Sequence, residues 1–127
     1  MNVLVLTDEK MLFGEVKDMM QLYKPFDMRV YGNHLDLLDS FSTLHPEMII
    51  LDIDMVNEQV FKLINVLKSL QKSLNILLIG STDKISLISN AFASGVNAYL
   101  VKPLSADNVC DFLVASLKLQ KNNPSTL

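Results

Sequence analysis

A short apolar run that ends in acidic residues decides the fold: residues 48–54 read Met48-Ile49-Ile50-Leu51-Asp52-Ile53-Asp54. The four residues before Asp52 are all apolar and lack the alternation of polar and apolar side chains that a half-exposed strand shows. Such runs are typical of strands that are covered on both faces of a parallel sheet. Four further runs indicate strands, the second of which is the most polar and fits a sheet edge: residues 3–6, 28–31, 76–79 and 98–101.

Segments with helical periodicity lie between these strands and after the last one. Apolar residues recur three or four positions apart in five segments: residues 12–23, 35–41, 60–70, 85–92 and 109–117. Pro25, Pro46 and Gly95 follow the first, second and fourth segments and favour helix ends there. Ser105 or Asp107 could cap the start of the last helix. Strands that alternate with helices in this way predict an α/β fold, a (βα)5 doubly wound, parallel, five-stranded sheet.

Length and composition predict a single globular domain. Of the 127 residues, 50% are hydrophobic and 20% are charged, which is sufficient to bury a core. The 11 basic and 14 acidic residues give a net charge of -3, and this balance argues against a nucleic-acid-binding surface, because phosphate contacts need concentrated Lys and Arg. Most of the acids lie in residues 1–58, where a cation or a positively charged partner could bind.

Cysteine usage and hydropathy predict a cytoplasmic location. Cys110 is the one cysteine, so the chain forms no intramolecular disulfide and fits a reducing compartment. The N-terminus has no basic leader, and no apolar run approaches the roughly 20 residues that a membrane-spanning helix needs. We divide the chain into a domain at residues 1–120 and a polar tail at residues 121–127, which is either a frayed end or the start of a linker.

Polar residues with complementary chemistry follow the predicted strands. Ligands bind open α/β sheets beyond the carboxyl ends of the strands, so these residues should meet in one cleft. They are Thr7, Asp8 and Glu9 after the first strand, Asp52 and Asp54 after the third, Gly80, Ser81 and Thr82 after the fourth, and Lys102 and Pro103 after the fifth. Carboxylates held close together repel one another, and Mg²⁺, which prefers oxygen ligands, relieves that repulsion. A carboxylate beside such an ion can attack phosphorus, and a lysine can hold phosphoryl oxygens.

Three pieces of the sequence resemble the receiver domain of two-component response regulators, and together they extend over nearly the whole chain. They are residues 3–10, residues 46–55 and residues 95–103: Val3-Leu4-Val5-Leu6-Thr7-Asp8-Glu9-Lys10, then Pro46-Glu47-Met48-Ile49-Ile50-Leu51-Asp52-Ile53-Asp54-Met55, then Gly95-Val96-Asn97-Ala98-Tyr99-Leu100-Val101-Lys102-Pro103. The segment Leu12-Phe13-Gly14-Glu15 is similar to receivers of LuxR/NarL-type transcriptional regulators.

The resemblance implies a fold and a set of site residues. The fold is flavodoxin-like, with strand order 2-1-3-4-5. Asp52 is the implied phosphoacceptor and Lys102 the implied phosphate-binding lysine. The implied Mg²⁺ ligands are Asp8, Asp52 and the backbone carbonyl of Asp54. The bond between Lys102 and Pro103 is usually cis in this family.

The acids after the first strand depart from the family pattern. The family carries two adjacent acids there, and the favoured register puts Thr7 at the first position and Asp8 at the second. A shifted register would pair Asp8 with Glu9 and restore two acids. With Thr7 in the site, one negative charge is lost, so Mg²⁺ binding is expected to be weaker than usual.

A second departure lies after the fourth strand. Gly80 stands where the family usually has Ser or Thr, and in the family that hydroxyl swings toward the phosphate. Its absence puts in doubt a switch role for the aromatic residue Tyr99. Ser81, one residue later, is then the nearest hydroxyl for a phosphate contact.

The leading functional hypothesis is a signalling receiver. A sensor histidine kinase or phosphotransfer protein gives a phosphoryl group to Asp52, and the added charge reshapes a homodimer or partner face formed by the fourth helix, the fifth strand and the fifth helix. Such a domain is not an enzyme beyond self-catalysed phosphotransfer and dephosphorylation. DNA binding would need an additional effector domain, and no membrane contact is expected. The alternative is a pseudo-receiver, a dimerisation or protein-interaction module that works without phosphorylation.

Overall fold

A five-stranded parallel sheet forms the centre of the protein. The computed structural model describes residues 1–23 and 25–120, so the predicted tail at 121–127 lies outside the described residues. The strands are β1 (Asn2–Leu6), β2 (Asp27–Tyr31), β3 (Met48–Asp52), β4 (Asn75–Gly80) and β5 (Ala98–Val101). Their order in the sheet is β2-β1-β3-β4-β5, and all neighbours are parallel. The predicted flavodoxin-like order is confirmed, and so is the edge position of the most polar strand.

Helices cover both faces of this sheet. They are α1 (Lys10–Met19), α2 (His34–Leu44), α3 (Val60–Leu70), α4 (Ile85–Ala93) and α5 (Ala106–Leu117). The hydroxyl of Ser105 accepts a hydrogen bond from the amide of Asn108 and caps α5, and the side chain of Asn33 caps α2 in the same way. No helix in the described ranges is long and apolar enough to span a bilayer.

Alternate residues of the strands enter two separate cores. Leu4, Leu6 and Leu51 pack with α2 and α3 on one face, whereas Val5 and Ile50 pack with α1 and α5 on the other. All five side chains are fully buried, as expected for strands without polar alternation. The continuous apolar runs therefore mark strands that are buried on both sides.

A short helical segment directly after β3 was not predicted from the sequence. Residues Ile53–Val56 form one helical turn and Asn57–Gln59 a 3-10 turn before α3 begins. Four residues are too few to show a helical period. The turn begins because the carboxylate of Asp52 accepts a hydrogen bond from the amide of Asp54, as an N-cap.

The strand register brings the predicted site residues to one edge of the sheet. Leu6 of β1 pairs with Leu51 of β3, and Asp52 pairs with Ile79 of β4. The residues that follow β1, β3, β4 and β5 therefore leave the sheet at the same level. The peptide bond between Lys102 and Pro103 is cis, as the resemblance implies.

Candidate functional site

Asp52 lies at the end of β3 and is completely buried, with 0% of its surface exposed. Its Oδ2 atom accepts a hydrogen bond of 2.8 Å from the Oγ1 hydroxyl of Thr7, and its Oδ1 atom accepts one of 3.1 Å from the amide of Asp54. Thr7 is also fully buried. A buried carboxylate needs such donors, because leaving it unpaired carries a large desolvation cost. The residue that departs from the family pattern thus holds the central carboxylate directly.

Lys102 connects three carboxylates. Its Nζ atom lies 2.9 Å and 2.8 Å from the two carboxylate oxygens of Asp52, which precedes it by 50 residues. The same Nζ lies 3.1 Å from Oδ2 of Asp54 and 3.3 Å from Oε2 of Glu9. Desolvation lowers the pKa of Lys102, but its hydrogen bonds to Asp52 and Asp54 outweigh this effect and raise the pKa above its ordinary value. The ammonium therefore stays charged throughout the physiological pH range.

The segment after β1 presents alternate residues to this cluster. Thr7 contacts Asp52 and Glu9 contacts Lys102, whereas Asp8 between them is exposed. Within the described ranges the Asp8 side chain makes no hydrogen bond and no ion pair, so its role as a metal ligand stays a prediction. Neither proposed register anticipated that Thr7 and Glu9 would be the pair that faces the cluster. The chain bends at Asp8, and the amide of Glu9 donates a hydrogen bond of 3.1 Å to the Thr7 hydroxyl, so the spacing of the sequence alone did not identify Glu9.

Oε2 of Glu9 is a buried atom without a hydrogen-bond partner among the described residues. Its nearest charge is the ammonium of Lys102 at 3.3 Å, which satisfies an ion-pair distance without forming a well-aligned hydrogen bond. Unpaired buried oxygens are rare in proteins, because each one costs free energy. This atom is therefore a candidate for contact with a bound cation or donor.

Asp54 uses its side chain as well as its backbone. Its carboxylate accepts hydrogen bonds from the amide of Ser81, at 3.1 and 3.3 Å, and from the Ser81 hydroxyl at 2.7 Å. Burial raises the pKa of Asp54, but the hydrogen bonds from Ser81 and Lys102 outweigh it, and the pKa lies below its ordinary value. The sequence predicted only a backbone role for Asp54. In the structure Ser81, the predicted phosphate contact, is bonded to this carboxylate.

The lowered pKa of Asp54 predicts an acid-dependent contribution to stability. A carboxyl group with a depressed folded-state pKa stabilises the fold above its unfolded pKa of roughly 3.9 and loses that contribution as the pH falls through the folded value. We expect Asp54→Asn to lower the free energy of unfolding at pH 7 by less than about 1 kcal/mol, because the side chain is partly exposed. Chemical unfolding between pH 7 and pH 2 should show the difference from wild type disappearing at low pH.

The exposed Asp39 provides the matched control for this measurement. Within the described residues its carboxylate makes no hydrogen bond or ion pair, so Asp39→Asn should leave the acid dependence of unfolding as it is in wild type. A stability difference between wild type and Asp54→Asn that persists unchanged at pH 2 would contradict the assignment.

Gly80 makes room for two neighbouring side chains. A Cβ atom at this position would overlap Cγ2 of the fully buried Ile53 and would lie 3.0 Å from the hydroxyl oxygen of Tyr99. That Tyr99 hydroxyl donates a hydrogen bond of 2.9 Å to the backbone carbonyl of Ser81. Burial, followed by the charge of Asp54, raises the pKa of Tyr99. Ile53 and Tyr99 thus occupy the space that a side chain at position 80 would need. The hydrogen bond to Ser81 holds the Tyr99 ring beside the segment after β4.

Side-chain hydrogen bonds link the segment after β3 to the segment after β4. Nζ of Lys84, in the turn Thr82–Lys84, donates a hydrogen bond of 2.8 Å to Oδ1 of Asn57. Together with the bond between Asp54 and Ser81, it links the segment after β3 to the segment after β4. These two links join the segments on the Asp52 and Tyr99 sides of the site.

The chemistry of the cluster fits a hard cation. Glu9, Asp52 and Asp54 supply three carboxylates to a single ammonium, which leaves an excess of negative charge. Mg²⁺ is usually bound by one or two protein carboxylates with waters and phosphate oxygens completing its ligands. Within residues 1–23 and 25–120, no group of three His, Cys, Asp or Glu residues could hold a metal ion by itself. An Mg²⁺ ion at this cluster would therefore need water or phosphate oxygens among its ligands.

Solved structures share this fold. The response regulator DrrB, a Thermotoga maritima OmpR/PhoB homolog, superimposes with a TM-score of 0.75 at 14% identity, covering 92% of this chain and 52% of that chain. This chain thus spans about half the length of DrrB. An atypical orphan response regulator with a phosphorylation-independent regulatory mechanism gives a TM-score of 0.77 at 18% identity, covering 97% of this chain and 100% of the other. A LuxR-family DNA-binding response regulator from Staphylococcus aureus gives 0.72 at 17% identity, covering 90% and 96%.

Sequence comparison identifies the family directly. No curated protein matches the sequence. The family model described as the response regulator receiver domain matches residues 3–113, which include the acids after β1, Asp52 and Lys102. Because this match spans most of the chain and the fold agrees with it, the chain belongs to the response regulator receiver domain family.

Proposed function

We propose that this domain is a signalling receiver in which Asp52 accepts a phosphoryl group from the phosphohistidine of a kinase or phosphotransfer protein in the cytoplasm. The observation that supports the proposal is the pairing of Asp52 with Lys102 at 2.8 and 2.9 Å, at the carboxyl edge of the sheet. A carboxylate can act as a nucleophile in phosphoryl transfer, and a lysine ammonium matches the charge of the transferred group. These two residues would supply the nucleophile and one positive charge for the phosphoryl oxygens.

In the proposed transfer, a carboxylate oxygen of Asp52 forms a bond to phosphorus while the bond between phosphorus and the histidine nitrogen of the donor breaks. The histidine leaves with the electron pair of that bond. Lys102 remains beside the new acyl phosphate and pairs with its oxygens. Bound Mg²⁺ would neutralise charge on the phosphoryl group, and Asp8, Asp52 and the backbone carbonyl of Asp54 are the residues that would hold it.

The test is phosphorylation in vitro. Incubation of the protein with Mg²⁺ and acetyl phosphate is expected to add the mass of one phosphoryl group, measured by intact-protein mass spectrometry. Asp52→Asn should abolish the gain, whereas Asp39→Asn, an exposed change of the same kind, should retain it. Removal of Mg²⁺ with a chelator should also suppress the gain. Wild-type protein that gains no mass from acetyl phosphate or from a phosphorylated histidine donor would refute the proposal.

A second candidate is a module that works without phosphorylation. Asp52 has 0% exposure, and both of its carboxylate oxygens already have donors in Thr7, Asp54 and Lys102. The similar atypical orphan response regulator is described as having a phosphorylation-independent mechanism. The burial of Asp52 and the donors already bound to both of its carboxylate oxygens favour this candidate.

The two candidates differ in how the oligomeric state depends on phosphorylation. We propose that α4, β5 and α5 form the dimer or partner face, on which Phe92 is 46% and Val101 44% exposed. Light scattering of wild type and Asp52→Asn, each with and without acetyl phosphate, separates the candidates. A dimer that forms only in phosphorylated wild type supports the receiver, and the same dimer in all four samples supports the second candidate.

A further inference from the structure

An apolar cavity lies apart from the acidic cluster, on the sheet face that α2 and α3 cover. Its volume is about 540 Å³. Its lining includes Leu38 of α2, Leu63 of α3, and Met55 and Val56 from the turn after β3. The volume falls within the roughly 300–1,000 Å³ that is usual for small-molecule sites.

The charged residues around this cavity have one sign. Lys62 and His34 are the only titratable residues among those that line it. Lys62 is exposed and makes no ion pair with the described part of the chain. No acidic residue is among the described residues that line the cavity. The cavity therefore combines an apolar interior with an unneutralised cation at its rim.

We propose that this cavity binds a small organic acid. The apolar body of the ligand packs against Leu38, Met55 and Leu63, and its single anionic group lies near Lys62. A few polar groups at the rim of an apolar pocket orient a ligand in this way. Apolar burial supplies affinity, and the charge of Lys62 selects anions over neutral molecules.

The residues that line the cavity do not include those of the acidic cluster, but the two sites share one segment. Met55 and Val56 belong to the helical turn that begins at Asp52 and contains Asp54. A ligand in the cavity thus contacts the segment that Ser81 and Lys102 hold on its other side. Ligand binding in the cavity would then be a signal to the domain that is separate from phosphorylation.

The test uses three probes that separate the apolar and the anionic requirement: octanoate, octanol and acetate. Amide chemical shifts of the whole chain are followed by NMR during titration. Octanoate is expected to shift residues 32–38 and 55–66 saturably. Octanol should bind about tenfold more weakly because it lacks the charge, and acetate should produce no saturable shift because it lacks the apolar body.

Variants then identify the cavity as the site. Lys62→Glu is expected to weaken octanoate binding by about tenfold or more, since it places a like charge beside the ligand. Lys72→Glu makes the same charge change at an exposed lysine outside the cavity and should leave the affinity unchanged. Val66→Trp should fill the cavity and abolish the localised shifts, while the unfolding midpoint shows that the fold is retained.

Three results would overturn the proposal. They are the absence of saturable octanoate shifts in residues 32–38 and 55–66, equal binding of octanol and octanoate with no effect of Lys62→Glu, and a wild-type dimer that Val66→Trp dissociates. The last result would show that a second copy of the chain, and not a small organic acid, occupies the cavity.

Discussion

Lys102→Met is expected to lower the free energy of unfolding by about 3 kcal/mol, the largest single loss at this site. The substitution keeps most of the side-chain volume but removes the ammonium from Asp52, which is 0% exposed, while the side chain of Lys102 is itself only 18% exposed. Asp52 would then retain the hydrogen bonds from Thr7 and Asp54 but no counterion. Urea unfolding at pH 7, with Lys17→Met as an exposed control, measures the loss.

The pH dependence of this loss follows from the raised pKa of Lys102. A base with an elevated folded-state pKa stabilises the fold fully below its unfolded pKa of roughly 10.4 and loses that contribution as the pH rises through the folded value. The difference between wild type and Lys102→Met should therefore be constant from neutral pH to about pH 10 and shrink above it. A loss no greater than that of Lys17→Met would show that the ion pair contributes nothing.

The second large effect is expected at Gly80. Gly80→Ala should lower the free energy of unfolding by about 2 kcal/mol, because the added Cβ overlaps Ile53 and crowds the hydroxyl of Tyr99. Gly32→Ala adds the same atom where no neighbour lies within 4 Å and should be close to neutral. Urea unfolding of both variants gives the comparison.

A double-mutant cycle identifies the cause of that loss. Ile53→Ala alone creates a cavity and should cost roughly 2–5 kcal/mol. In the double variant, Ile53→Ala removes the overlap with the new Cβ at position 80. The loss in free energy of unfolding of the double variant should therefore be smaller, by at least about 1 kcal/mol, than the sum of the losses of the two single variants. Strict additivity would rule out the contact with Ile53 as the cause.

The fold could be predicted because its signals are local and redundant. The apolar runs at residues 3–6, 48–51 and 76–79 indicate buried parallel strands without reference to any neighbour. The order of the strands came from the family resemblance. The pairing of Asp52 with Lys102 was predictable once both were placed at the carboxyl edge of one sheet.

The rest of the site depends on side-chain directions that spacing does not determine. The bonding of the Asp54 carboxylate to Ser81 follows from the turn at 53–56, which is too short to leave a periodic pattern. The approach of Glu9 to Lys102 follows from the bend between β1 and α1. Gly80 looked like an eroded position in the sequence. In the structure it is matched to Ile53, a residue far away along the chain, and such packing relations are invisible in a single sequence.

The sharing of one ammonium among three acids has an electrostatic consequence. Glu9 follows β1, Asp52 and Asp54 lie at the end of β3 and in the turn that follows it, and Lys102 is the common counterion of all three. A change of charge at Asp52 would therefore alter the ion pairs of Glu9 after β1 and of Asp54 after β3 together, because one ammonium serves all three.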